Sequence, residues 1–265
     1  MLIENTIILS HRLIKGGYRL LTLKSKKIAP MVQPGQFVHL RVPPSTDTVL
    51  RRPFSVFRAQ ADRLAILYKT VGKGTQAMEA LRTGDKVNLV GPLGNGFPSV
   101  RKHRLPLLVA GGYGMAALYL VAQRTRVKGF VFVGGKSADD ILCANDFRKL
   151  GWNVRVATED GSAGQKGLVT HILDTWLKKN LRARTPEFFV CGPNGLLKAI
   201  CERVEQSGWD AWISMDRHMG CGLGACLACV QKVRKPDASG RETWIWARVC
   251  KDGPVFACRD IMWED

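Results

Sequence analysis

The sequence predicts three parts in series: a small antiparallel β-barrel over residues 1–100, a doubly wound parallel α/β sheet over residues 101–210, and a small cysteine-rich module over residues 211–265. Three observations carry this. Short runs of β-branched and aromatic residues, parted by turn signals, fill the first part. Apolar strands then alternate with helical stretches. Last, CGLGACLAC sets three cysteines in one loop, with a fourth downstream in VCKDGP.

In the first part, TIILSHRLI, YRLLTLKS, QFVHLRVP, FSVFRAQ and RLAILYKTV read as strands. GG, PG and PPST separate them as turns, and strands at this spacing suit a barrel. One helix is expected at TQAMEALRTGD, with Thr75 as its N-cap and Gly84 as its stop. In the second part, LPLLVAGG, GFVFVGG, NVRVATED and EFFVCGP read as strands. MAALYLVAQRTRV, DDILCANDFRKL, THILDTWLKKNL and NGLLKAICERVEQSG read as the helices between them. Strands that are apolar without alternation fit a sheet covered on both faces. In the third part, CVQKVRK and ETWIWARVC form a strand pair around a PDASGR turn. So small a segment gains stability from a bound metal group.

The cysteines at 221, 226, 229 and 250 follow C-x4-C-x2-C plus one, the ligand spacing of a plant-type [2Fe–2S] centre. Gly220, Gly222 and Gly224 let the backbone wrap closely and take positive φ. Zinc is the competing metal, but its sites usually come as two short pairs. Cys143, Cys191, Cys201 and Cys258 are scattered, and a buried thiol is the expectation for each. On sequence distance alone, Cys258 competes with Cys250 as fourth ligand. A [2Fe–2S] centre moves single electrons, so the chain reads as one stage of an electron relay.

Formal net charge is +18 over 265 residues. Residues 1–100 carry 15 Lys and Arg against 5 Asp and Glu, residues 101–210 carry 17 against 10, and residues 211–265 carry 8 against 7. The excess is spread over two thirds of the chain, which suits a solvated basic surface rather than a nucleic-acid patch. No run approaches the ~18 apolar residues of a membrane span. MLIENTIILSHRL lacks the plan of a signal peptide and reads as a first strand, and reduced cysteines suit the cytoplasm.

Three fragments of the barrel suit a bound dinucleotide. Arg52-Pro53-Phe54-Ser55 offers a guanidinium that matches pyrophosphate oxygens, beside a small hydroxyl donor. Leu67-Tyr68-Lys69 follows, and Gly74-Thr75 opens a helix whose N-terminus seats phosphate. In the sheet, Gly111, Gly112 and Gly114 make a glycine-rich βα turn that lets a nucleotide approach. Glu159 and Asp160 end the third strand, where acidic groups accept hydrogen bonds from a ribose and repel a 2′-phosphate, favouring NAD. Cys191, Gly192 and Pro193 end the fourth strand at the same edge. No catalytic triad or carboxylate pair is present, as expected where positioning rather than acid–base chemistry is needed.

RPFS, LYKTVGKGT, GPLGNGF, AGGYGMAAL, ATEDGS, CGPNGLLKA, HMGCGLGACLACV and VCKDGPVF occur in order over nearly the whole chain. Together they resemble the electron-transfer subunits of NAD-dependent bacterial dihydroorotate dehydrogenases, within the ferredoxin–NADP reductase superfamily. The resemblance implies FAD held by Arg52, Pro53, Phe54, Ser55, Leu67, Tyr68, Lys69, Gly74 and Thr75. It implies a [2Fe–2S] cluster on Cys221, Cys226, Cys229 and Cys250, since the family ligand is the cysteine before x-D-G-P-V-F. It further implies an FMN-containing catalytic partner, a heterotetramer of two subunits of each kind, and electron flow from dihydroorotate to NAD+ in pyrimidine biosynthesis. Tyr113 and Ala117 depart from the family's common aliphatic residue and proline, and the gap from Cys229 to Cys250 is long. Two other readings stand beside it: a related FAD/[2Fe–2S] subunit of a sulfide-dehydrogenase or ferredoxin:NAD(P) oxidoreductase complex, and a zinc-stabilised basic protein that binds nucleic acid.

Overall fold

The computed structural model describes residues 1–43, 49–180, 184–237 and 239–263. The last three residues of the expected PPST turn, Leu181 at the end of THILDTWLKKNL, and Ala238 of PDASGR lie outside them. No helix among the described residues is long and apolar enough to cross a membrane.

Six antiparallel strands close the barrel: β1 (Leu2–Leu13), β2 (Tyr18–Lys24), β3 (Phe37–Leu40), β4 (Arg52–Gln60), β5 (Arg63–Lys69) and β6 (Lys86–Leu93), in the order β1-β2-β5-β4-β3-β6. The strand β6 is absent from the expected set. Its KVNLVGPL alternates inward Val87 and Leu89 with Lys86 and Asn88, but its GPL end reads as a turn. Strand β6 pairs with both β1 and β3, and so closes the ring.

The expected helix near Thr75 begins earlier, as α1 (Lys73–Ala77), and continues as a 3-10 turn over Met78–Ala80. Thr75 is not its N-cap. Gly72 takes that place, and Thr75 Oγ1 reaches back to accept the Val71 and Gly72 N–H groups at 2.9 and 3.1 Å.

Strands β7 (Leu105–Gly111), β8 (Phe130–Gly135), β9 (Asn153–Thr158), β10 (Gln165–Lys166), β11 (Pro186–Cys191), β12 (Asp210–Ser214), with β13 (Val230–Arg234) and β14 (Trp244–Arg248) forming a separate hairpin, precede β15 (Val255–Ala257). The sheet order is β10-β9-β8-β7-β11-β12-β15, parallel except for β15. Helices α2 (Met115–Arg124) and α3 (Ala144–Lys149) cover one face, while α4 (Val169–Asn180) and α5 (Asn194–Ser207) cover the other. The helix expected from Asp139 is confined to α3. Asp140 accepts instead from Tyr18 Oη, Lys69 Nζ and the Lys136 N–H, which holds its segment out of the helix.

Helix α2 is buried all round over Met115–Ala122, because it packs on the sheet and on barrel residues Leu20, Phe57, Ala65 and Leu67 at once. Tyr119 meets the Phe57 ring at 4.7 Å, and Arg58 lies 4.6 Å from both rings while pairing with Asp146 at 2.6 Å.

Cys201 and Cys258 are not free thiols. They form a disulfide, because β15 pairs beside β12 and brings Cys258 under α5, with the Cα atoms 5.2 Å apart. That also removes Cys258 as a metal ligand. Cys143 and Cys191 remain thiols, and burial pushes both up to about 12.

Phe132 is fully buried in the sheet core against Trp176, with ring centroids 5.7 Å apart. Phe132→Ala is expected to cost about 3–5 kcal/mol. Ile3→Ala, at a site 67% exposed on β1, is expected to stay within about 0.5 kcal/mol. Urea unfolding of both variants checks the contrast.

Candidate functional site

The antiparallel pairing of β4 with β5 sets the start of one strand beside the end of the other, so Arg52–Ser55 and Leu67–Lys69 share one edge of the barrel. That edge faces the C-terminal ends of β7, β11 and β12. A cavity of about 270 Å³ lies in the seam. Arg52, Pro53, Phe54, Ser55, Leu67, Tyr68, Lys69 and Thr75 line it from the barrel. Gly74 stands behind Arg52. A Cβ there would fall 2.7 Å from Arg52 Nε, so the glycine leaves room for the guanidinium to lie over the start of α1. Lys69 is tied to Asp140 at 3.2 Å and sits 4.7 Å from the Tyr18 ring centroid. Tyr68 shares a 2.9 Å hydrogen bond with His11, and burial pushes its phenol up to about 12.

From the sheet, Gly114 and Cys191 reach the cavity. Gly111, Gly112, Gly192 and Pro193 stand behind them, in two loops packed backbone to backbone. A Cβ on Gly114 would lie 2.2 Å from the Cys191 carbonyl oxygen, and one on Gly111 would lie 2.8 Å from Pro193 Cδ. Asp160 is not brought to the cavity. It sits exposed past β9, where its carboxylate accepts Ser162 Oγ at 2.6 Å and the Ser162 N–H at 2.9 Å, which holds it below the usual carboxylate range.

Sequence reasoning missed Phe37 on the barrel side and much of the far wall: Tyr113, Ser214, Met215, Asp216, Met219 and Pro254. Tyr113 lay inside the glycine turn, and Met219 and Pro254 inside the HMGCGLGACLACV and VCKDGPVF segments, but nothing local tied any of them to this cavity. The Tyr113 hydroxyl donates to Asp216 at 3.2 Å across the mouth, and burial with Asp216 nearby pushes it up to about 12.

The cysteine loop continues from Met219, so it shares this wall. Cys221 Sγ accepts the N–H groups of Leu223, Ala225 and Cys226 at 3.3, 3.3 and 3.4 Å. Burial raises this thiol, but those backbone donors outweigh it and bring it down to about 6. Gly222 and Gly224 take φ of +70° and +83°, which turns the backbone around the sulfur. Cys229 Sγ accepts the Cys250 N–H at 3.4 Å, and burial with Cys229 close by pushes Cys250 up to about 12. The thiols thus stand in two pairs, Cys221 with Cys226 and Cys229 with Cys250. Backbone donors aimed at sulfur and two thiol pairs fit a two-iron, two-sulfide group, in which each iron takes two thiolates. Among the described residues, no three His, Cys, Asp or Glu side chains form a one-ion site.

The turn carrying Cys250 is held from two sides. Arg248 pairs with Asp252 at 2.9 Å. Asn95 of the GPLGNGF segment donates to the Asp252 carbonyl at 3.0 Å, and Gly94 leaves room for Pro254, which a Cβ would strike at 2.5 Å. His39 on β3 is buried against the loop, and nothing in its sequence neighbourhood marks it out. Burial and the Arg51 guanidinium bring its imidazole down to about 4, against a smaller upward pull from the Cys221 backbone.

Comparison with known proteins agrees with this geometry. Residues 216–262 match the model of the iron-sulfur cluster binding domain of dihydroorotate dehydrogenase B. The dihydroorotate dehydrogenase B (NAD(+)) electron transfer subunit of Fusobacterium nucleatum is 35% identical over 263 residues, covering 94% of each chain. That of Geobacillus kaustophilus is 36% identical over 269 residues, covering 98% of each. Among solved structures, the flavin-bifurcating NADH-dependent reduced ferredoxin-NADP oxidoreductase superposes with TM-score 0.82 at 26% identity, over 97% of this chain and 90% of that one. The chain belongs to the family of dihydroorotate dehydrogenase B (NAD(+)) electron transfer subunits.

Proposed function

We propose that this chain receives electrons from an FMN-containing subunit that oxidises dihydroorotate, and delivers them to NAD+ in pyrimidine biosynthesis. The observation that carries the proposal is the shared wall: Met219 and Pro254 line the seam cavity and lead directly into the segments holding Cys221 and Cys250. The groups involved are a [2Fe–2S] cluster, which exchanges one electron at a time, and FAD, which exchanges one or two and, when reduced, can supply a hydride to NAD+.

The chain's own residues bind and position these groups. Cys221, Cys226, Cys229 and Cys250 ligate the cluster, with the loop N–H groups compensating thiolate charge. Cys226 is exposed beside Leu223 and Leu227, which places the cluster edge where a partner can reach it. Arg52 takes the FAD pyrophosphate, helped by Gly74 and Thr75 at the start of α1. Pro53, Phe54, Leu67, Tyr68 and Lys69 wall the flavin, and the Ser55 hydroxyl serves a ring heteroatom. Gly111, Gly112 and Gly114 admit the NAD backbone, while Cys191, Gly192 and Pro193 border the nicotinamide. Asp160 accepts from a ribose hydroxyl once the dinucleotide spans the sheet edge. The complex is a heterotetramer of two subunits of each kind, in the cytoplasm, with no nucleic acid or membrane among its partners. Family membership replaces the zinc-stabilised, nucleic-acid-binding reading. The likeness to the ferredoxin-NADP enzyme supports a second choice of partner, settled by which subunit co-purifies and whether it carries FMN.

Cys226→Ser is expected to abolish the [2Fe–2S] absorption and EPR signal, keep FAD, and stop NAD+ reduction by the complex, while the catalytic partner still reduces artificial acceptors. Retained NAD+ coupling without a cluster would sink the relay. Arg52→Ala should weaken FAD binding about tenfold to a hundredfold, the worth of one charge-assisted contact of about 1.5–3 kcal/mol. Fluorescence of released FAD on dilution measures this, and unchanged retention would remove Arg52 from the pyrophosphate site.

A further inference from the structure

His39 is 1% exposed, and neither ring nitrogen meets a hydrogen-bond partner among the described residues. An imidazole carries at least one N–H donor in every protonation state. Burying that donor unpaired costs about 1–3 kcal/mol, so such a group calls for an acceptor. Among the described residues, none meets hydrogen-bond geometry with the ring, and the nearest, the Cys221 backbone, falls short of it. Across the barrel His39 pairs in register with Pro53 and Val90, neither of which has a side-chain acceptor. Arg51 and Arg52 bring only further donors. Phe37 covers one side edge-on, with ring centroids 6.4 Å apart.

On its remaining side the ring meets the cysteine loop. A Cβ built on Gly222 would fall 2.6 Å from His39 Nδ1 and 2.7 Å from Cε1. The imidazole is thus pressed on the backbone immediately after Cys221, on the barrel side of the loop. The Cys221 backbone is near enough to raise the ring's proton affinity, but it does not meet hydrogen-bond geometry.

We propose that His39 is a positioning residue for the cluster: its ring N–H donates to sulfur at the Cys221 corner of the bound [2Fe–2S] centre. The proposal rests on the reading of the four thiols as the cluster site. Hydrogen bonds to cluster sulfur favour the reduced, more negative form, so His39 makes the cluster a better electron acceptor. Its place on β3, two residues from Phe37 in the cavity wall, ties this tuning to the flavin-binding barrel.

The test uses the complex with its catalytic partner, titrated with redox dyes while the reduced-cluster EPR signal is followed. His39→Leu should lower the equilibrium constant for cluster reduction about tenfold, a negative shift of ~59 mV for one electron. His39→Gln, which keeps an N–H donor, should recover most of it. With 15N-histidine label, pulsed EPR of the reduced wild type should show a nitrogen coupling that survives His218→Gln and vanishes in His39→Gln. An intact cluster with an unshifted potential in His39→Leu, or equal shifts in both His39 variants, overturns the proposal. If His39→Leu fails to fold, the labelled wild type decides: an EPR-active cluster without histidine coupling overturns it. A wild type with no reduced-cluster signal removes the cluster reading itself, which is a distinguishable failure.

Discussion

Helix α2 is the constraint on which the rest of the structure depends. Its residues Met115–Ala122 are apolar or aromatic on every side because two separate units each need one of its faces. The barrel buries Phe57 and Leu67 against it, and the sheet buries Leu108 and Val131. Removing this much apolar surface from water fixes the two units in one orientation. The seam cavity exists because of that orientation, and the glycine turn that opens α2 becomes one of its walls. Arg58, spanning Phe57, Tyr119 and Asp146, and the group of Tyr18, Lys69 and Asp140 add directional bonds around the apolar contact.

A second layer follows from close approach. The turn before α2 and the loop after β11 touch backbone to backbone because neither carries a Cβ at the contact. The cysteine turn rests on the GPLGNGF segment in the same way, Gly94 against Pro254. Two of the segments most diagnostic in the sequence therefore hold each other, far apart in the chain and adjacent in space. This is why they were readable as short motifs although the contact between them was not.

What was legible divides along the same physical line. Cys221, Cys226, Cys229 and Cys250 announced themselves because ligand spacing is a local property. Arg52–Ser55 and Leu67–Lys69 did so because their chemistry suits phosphate and flavin. Uniformly apolar strands alternating with helical stretches gave the sheet. Non-local pairing was hidden. Strand β6 looked like a turn because its value lies in joining β1 to β3. Nothing in DAWIS or in VFA tells either of the other, so β12 with β15, and with them the Cys201–Cys258 bond, came only from the structure. Met215, Asp216 and Met219 were missed for the same reason, and His39 because a lone histidine in a short apolar strand, buried on both faces, looks like any core residue.

The pairing of Ser214 with Val255 has one more consequence. Everything between them, including all four thiols at 221, 226, 229 and 250, is an excursion whose two ends meet on neighbouring strands. The entropic cost of closing that long loop is met by the sheet edge and not by the metal group. Assembly of a cluster therefore needs only to order a segment already tethered at both feet. The same tethering lets the β13–β14 hairpin lengthen or shorten without disturbing the sheet, since changes at the tip of a closed loop do not move its base.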